Sequence, residues 1–570
     1  MFTRKWSTSE RKYGVAVERD VKVRMPDGTV LDGDIYRPDS SERFPVILGA
    51  HAYNKELQSP PIRPVGFTPM RGWMESGDST FFARRGYIHA VFNVRGTGKS
   101  TGYYQLLGPT EIQDICHLID WLAAQPWSTG NVGMFGVSYF AKLAKAAAAA
   151  GPKPLKAIFA PFAGTDEYRH RSYHGGILAH GFITHWRNSL HQPNYRSIYK
   201  ETNGEEAYRR AIEQAMRDEE IMAVPALREA LENPEAGTNA LVVDVVLQPL
   251  DGPFWRARNA RDAEATVPAY LGGCWGNYGL HLPGAFTAWK DWKGPKKMVI
   301  GPPIYLDRPL YQYQDESLRW FDYWLKRIDT GVMNEPPIRC FIPPTGEWKS
   351  LDDWPPPEAR WTTFFLHKDN LLSEHELWPE EGADSFDESS AEHGALTYAT
   401  PPLVENSEVL GPSVLTMYLS TTDTEALVFA TLLLVDREGK DHELTRGWLR
   451  ASQRRLRDDS ERWEPVPAHE GREPLEPGKI YELRIPIVAT ARLFQAGERI
   501  AIRIKCADDE APVNSLQALA RTHLWRPRPA QITIHHDEKN PSRLDLPITR
   551  GNLIGTFFSG GDISSFGMTR

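Results

Sequence analysis

The sequence predicts an α/β domain on a parallel sheet, interrupted by a helical insertion and followed by an all-β sandwich or jelly roll. Three observations predict it. Short, nearly continuous apolar runs alternate with helical patterns up to about residue 165, the alternation stops in a stretch rich in His, Tyr, Arg and Glu, and Pro-punctuated β-type runs fill the chain beyond residue 335. At roughly 150 residues per domain, 570 residues accommodate such an organisation.

Val21 to Leu31 reads as strand, turn, strand, with Pro26-Asp-Gly as the turn. Pro45-Val-Ile-Leu-Gly and Ile88-His-Ala-Val-Phe-Asn-Val are apolar runs of the kind buried on both faces. Thr110 to Ala124 is an amphipathic helix pattern, followed by a strand (Val132 to Phe135), an Ala-rich helix (Ala141 to Ala150) and a strand (Leu155 to Ala160). Strands alternating with helices imply a parallel sheet. From about Asp166 to Asp262 the pattern is mostly helical; the α/β signal resumes at Val267-Pro-Ala-Tyr-Leu and Met298-Val-Ile-Gly and closes with a helix at Gln314 to Ile328. The boundaries read 1–165 and 265–334 for the two parts of the α/β domain, 166–264 for the insertion, and 335–570 for the sandwich.

Basic residues number 66 and acidic residues 74, a formal charge of −8 that gives no reason to expect nucleic acid or anionic membrane as a partner. No apolar run approaches the roughly 20 residues of a membrane span, and the first ten residues lack a signal-peptide core. The expectation is a soluble, cytoplasmic protein. Cys116, Cys274, Cys340 and Cys506 are far apart and read as buried thiols. Gly98-Lys99-Ser100 lacks the glycine five residues earlier that a phosphate loop needs. His170 and His174 stand four apart without an evident third metal ligand and read as solvated surface.

Asn131-Val-Gly-Met-Phe-Gly-Val-Ser138-Tyr-Phe-Ala141 carries the chemistry. A serine between a strand and a helix, with glycine two residues before it, fits a nucleophile elbow: the sharp turn lifts Oγ above the sheet at a helix N-terminus. The second small residue is displaced, because position 140 is Phe and Ala141 follows.

With Asp20-Val-Lys-Val-Arg-Met-Pro-Asp-Gly-Thr, Tyr53-Asn-Lys55, Arg95-Gly-Thr-Gly98, Gln125-Pro-Trp127 and Phe321-Asp-Tyr-Trp-Leu-Lys326, this segment resembles the cocaine-esterase / X-prolyl dipeptidyl-peptidase family, the CocE/NonD hydrolases. The resemblance covers most of the chain and is strongest over 20–165. It implies an α/β-hydrolase domain with a helical cap and a C-terminal jelly roll. It implies Ser138 as nucleophile, with the Tyr53 hydroxyl and the Tyr139 N–H as oxyanion donors, in cleavage of a small-molecule ester, amide or X-prolyl peptide through an acyl-enzyme. It implies no metal or organic cofactor, and the family often forms homodimers.

The chain departs from the family at the base. The acid position holds Asn277 in Trp275-Gly276-Asn277, and the histidine position holds Tyr305 in Gly301-Pro302-Pro303-Ile304-Tyr305. A phenol of pKa near 10 is a poor base at pH 7. Three explanations stand side by side. The base is relocated, with His281 and His174 the leading alternatives beside His170, His180, His185 and His191. Or Tyr305 or Asp307 relays the proton. Or hydrolysis is lost and a small-molecule pocket on the same scaffold remains.

Overall fold

A computed structural model describes residues 7–55, 75–302, 309–376, 382–388, 394–508, 521–528 and 530–551. The first part of the sheet comprises β1 (Val15–Arg24), β2 (Val30–Pro38), β3 (Phe44–His51), β4 (Ile88–Asn93), β5 (Ser128–Phe135) and β6 (Leu155–Phe159). A small hairpin, β7 (Tyr173–His174) and β8 (Ile177–Leu178), opens the insertion. The sheet resumes with β9 (Ala269–Cys274), β10 (Lys296–Gly301), β11 (Ile338–Ile342) and β12 (Glu347–Leu351).

The strand order is β1-β2-β4-β3-β5-β6-β9-β10-β11-β12. Pairing is parallel from β4 through β11 and antiparallel at both ends. Every residue of β3 and β4 is buried, as a sheet covered on both faces requires. The helices Pro109–Ala123 and Tyr139–Ala150 lie where the alternation predicts them, and Pro309–Lys326 begins somewhat earlier than its pattern suggests. β11 and β12, which lie beyond residue 335 in sequence, extend the α/β sheet, and the sandwich strands start at β13 (Arg360–His367).

Among the described residues the C-terminal part holds twelve strands, β13 to β24 (Arg543–Arg550). Its longest pairing joins β17 (Ser407–Thr421) to β20 (Tyr481–Phe494) across a bulge at Gly411, which at φ 143° takes a conformation suited to glycine. This part seats directly on the insertion. Arg450 N–H donates to Gly175 O at 2.8 Å, and a Cβ on Gly175 would lie 2.0 Å from Trp448 O, so the approach needs glycine. Arg169 anchors the same contact through Asp251 at 2.7 Å and the Ala468 carbonyl at 2.9 Å. No helix among the described residues is long and apolar enough to cross a membrane.

Candidate active site

The carboxyl ends of β3, β5, β6 and β9 converge beneath the insertion, the place where open α/β sheets present ligand-binding groups. β5 ends at Phe135, and the next helix starts at Tyr139, which leaves Gly136, Val137 and Ser138 for the turn. Ser138 sits at φ 57°, ψ −120°, a backbone conformation that costs about 1–3 kcal/mol for a residue with a side chain. Backbone hydrogen bonds hold it there: Val137 N–H to Glu75 O at 3.0 Å, Ser138 N–H to Phe162 O at 3.0 Å, and Lys142 N–H to Ser138 O at 3.0 Å. The displaced small residue has a packing explanation. The side chain of Phe140 lies against Gly136 and Gly49, where a Cβ on Gly136 would come within 2.1 Å of Phe140 Cβ, and its ring stacks on His51 at 4.8 Å.

Tyr53 follows β3. Its backbone is pinned by its N–H to His51 Nδ1 at 3.0 Å and by Asn93 Nδ2 donating to its carbonyl at 2.7 Å. Its hydroxyl accepts from Trp186 Nε1 at 3.1 Å and lies within hydrogen-bond reach of Ser138. With Trp186 donating to the phenolic oxygen, the Tyr53 O–H can be directed at the serine. Burial, reinforced by Glu75, pushes the Tyr53 hydroxyl well above its ordinary pKa, so it remains a donor. Tyr139 opens its helix, and its N–H is among the four that no helix can satisfy internally. Its own hydroxyl donates to the Glu111 carboxylate. Burial raises that carboxyl to about 7, against the lowering effect of the Tyr139 bond.

Asn277 is buried after β9, and its Oδ1 accepts the backbone N–H of His281 at 3.1 Å. The amide therefore fixes the turn into the helix Leu282–Asp291, while its Nδ2 has no hydrogen-bond partner among the described residues. The His281 imidazole is buried. Desolvation, then Lys142, Arg171 and Lys145, hold its pKa far below the ordinary value, the opposite of what a general base needs. Tyr305 and Asp307 lie outside the described residues.

His174 is not solvated surface. It is buried between insertion and sandwich, stacked on Trp448 at 4.7 Å, with Nδ1 2.7 Å from His523 Nε2. His523 Nδ1 lies 2.8 Å from Asp508 Oδ2. If that carboxylate takes the Nδ1 proton of His523, the His523 Nε2 lone pair accepts from His174 Nδ1, and the lone pair of His174 is left on Nε2. His170 is half-buried, its Nδ1 accepting from the Thr165 and Asp166 N–H groups at 3.3 Å, and desolvation lowers its pKa to about 4. The structure thus brings Ser138, Tyr53 and Tyr139 together and sets Asn277 and His281 on the neighbouring loop, whereas His174 belongs to the contact between insertion and sandwich.

Several site residues escape sequence reasoning. Trp186, Arg171 and Glu167 come from the insertion, and Glu75 lies beside the elbow; none sits in a motif. Lys142 alone leaves a trace, one helical turn after Ser138. Its ammonium pairs with Glu167 at 2.6 Å, and burial lowers its pKa to about 8. Among the described residues no group of three or more His, Cys, Asp or Glu is arranged to hold a metal ion.

A family model described as X-Pro dipeptidyl-peptidase (S15 family) matches residues 27–304, and the C-terminal non-catalytic domain of X-Pro dipeptidyl-peptidase matches 330–545. Residues 27–304 belong to the S15 family. The chain is 25% identical to the cocaine esterase of a Rhodococcus strain, over 94% of this chain and 99% of that one. A CocE/NonD family hydrolase from Staphylococcus aureus superposes with a TM-score of 0.77 at 23% identity, covering 96% and 99% of the two chains. An α-amino acid ester hydrolase gives 0.74 at 16% identity, covering 96% and 98%. These likenesses show that the chain has the α/β-hydrolase fold followed by a strand-rich C-terminal domain.

Proposed function

We propose that this chain is a serine hydrolase that cleaves a small-molecule ester, amide or X-prolyl bond through an acyl-enzyme on Ser138. Oγ attacks the carbonyl carbon, and the Tyr53 O–H and Tyr139 N–H stabilise the oxyanion. The leaving group departs with the serine's proton, and water then releases the acyl group. Two donors of this kind are each worth several kcal/mol in acyl transfer. The observation that carries the reading is the strained Ser138 backbone, held by three flanking backbone hydrogen bonds, beside a phenol whose other face is already taken by Trp186.

A second reading, a pocket that binds its ligand without cleaving it, is favoured by Asn277 at the acid position and by the cations around His281. One experiment separates the two. A fluorophosphonate probe labels the wild-type protein at Ser138 and spares Ser138→Ala if the serine is activated. Absence of labelling between pH 6 and 9 would favour the binding protein.

A further inference from the structure

Beside the elbow lies a buried group of charges with one carboxylate too few. Glu167 is ion-paired with two cations, Lys142 Nζ at 2.6 Å and Arg171 Nε at 2.9 Å, the latter without hydrogen-bond geometry among the described residues. Lys145 is paired separately with Asp262 at 3.0 Å. Arg171 is only 3% exposed, and its terminal NH2 has no hydrogen-bond partner among the described residues. Its guanidinium carbon stands 5.9 Å from the Trp186 ring, whose Nε1 holds the Tyr53 hydroxyl beside Ser138. Arg171 is also close enough to Tyr53, Tyr104 and His281 for its charge to act on each of them.

A buried guanidinium with an unused fork is costly unless an anion completes it, and a planar fork suits a carboxylate. We infer that Arg171, supported by Lys142 and Glu167, seats a carboxylate of the substrate, so that the preferred ester or amide is an acidic one. Arg171 is then a specificity determinant that holds the substrate's anionic end while Ser138 attacks its carbonyl. The inference rests on the hydrolase reading above and narrows its substrate class.

The test compares matched esters with and without a carboxylate. One pair varies the acyl end, 4-nitrophenyl hydrogen glutarate against 4-nitrophenyl valerate. The other varies the leaving group, 4-carboxyphenyl valerate against phenyl valerate. In at least one pair the wild-type protein should favour the acidic ester by about tenfold or more in kcat/KM. Arg171→Met should cut that ratio at least tenfold, and Arg171→Lys should restore part of it. A purely structural role would lower both members of a pair together and leave the ratio unmoved. The proposal is overturned if neither pair shows a preference for the acidic ester, or if Arg171→Met shifts the ratio by less than twofold. If no ester turns over and no probe labels Ser138, the hydrolase reading fails, and the carboxylate seat is then judged by binding. Glutarate should raise the melting temperature of the wild-type protein and not that of folded Arg171→Met; equal shifts in the two, or none, would sink it.

Discussion

In the hydrolase proposed above, the nucleophile wall around Ser138 and the base wall around position 277 are built from different materials. The elbow that carries Ser138 and Tyr139 is held by backbone hydrogen bonds, and the main chain of Tyr53 by the His51 and Asn93 side chains, all at the ends of adjacent strands. Across from them stand Asn277, His281, Lys142 and Arg171, which depend on side chains from a separate loop, a helix and the insertion. The lesson is mechanical. A wall made of main chain keeps its geometry while its neighbours drift, whereas a wall made of side chains can change its chemistry without disturbing the fold.

The most severe way to break the nucleophile wall is Ser138→Ala, which should lower ester turnover at least about a thousandfold. Its thermal stability should not change, because alanine inherits the same φ of 57°. Ser138→Gly should be equally inactive yet more stable by about 1 kcal/mol, since glycine relieves the strain. Calorimetry on the two variants reads this difference, and equal stabilities would mean that the turn stores no strain. Next in size is Tyr53→Phe. It keeps the ring and removes the proton aimed at the serine side, so kcat should fall about a hundredfold while KM changes little. An equal loss in a variant that cannot disturb the oxyanion, or no loss at all, would remove Tyr53 from the reaction.

Acid should separate the two walls by stability. Burial holds His51, His174 and His469 neutral down to about pH 3, and His89, His170 and His180 down to about pH 4. In the unfolded chain each would take up a proton near pH 6.5. From there down to about pH 4 the unfolded state therefore binds more protons than the folded one, and stability falls with pH. Burial acts with the opposite sign on Glu75, Glu111 and Glu388, whose raised pKa values let the folded state bind protons first. His281 and His535 add to these six histidines, and Asp114, Asp244, Asp291 and Asp545 to the three raised carboxyls. The four aspartates start from a lower ordinary value than the histidines, so between about pH 6.5 and 4 the histidines dominate, at about 1 kcal/mol per group and pH unit. Four of the six, His170, His174, His180 and His469, lie in the insertion and the sandwich. Hydrogen exchange at pH 5.5 should accordingly quicken over residues 168–186 before it quickens over β5 and the elbow. Simultaneous loss of protection would show that the two walls melt as one unit.

What could be read from the sequence follows the same division. The elbow, the sheet strands and the change to β structure depend on local patterns: Gly136 two before Ser138, apolar runs at strand length, and Pro-rich turns. Tyr53 and Ser138 stand 85 positions apart, and only the family resemblance links them in the sequence. Arg171, Trp186 and Glu167 carry no pattern, because a helical insertion folds back over the sheet and only tertiary contact gives those side chains their meaning. His170 and His174 read as surface because polar residues at helical spacing usually are, and docking of the C-terminal domain overrides that expectation for His174.

The finest test concerns whether the base wall still has the shape of an acid and a base. At position 277 the amide oxygen already accepts from His281 N–H, and the amide nitrogen has no acceptor among the described residues. Asn277→Asp keeps the first bond and replaces the idle donor with a carboxylate oxygen, close to a histidine that Lys142, Arg171 and Lys145 surround with positive charge. The substitution should therefore be tolerated, with a stability change within about 1 kcal/mol. Alone it supplies an orienting charge and no imidazole, so ester turnover should stay where it is. Combined with Tyr305→His it restores both partners a serine needs, and kcat/KM at pH 8 should rise a few fold. A folded double variant with unchanged turnover would mean that the loops after β9 and β10 no longer reach the nucleophile, and that the difference between the two walls is one of distance as well as chemistry.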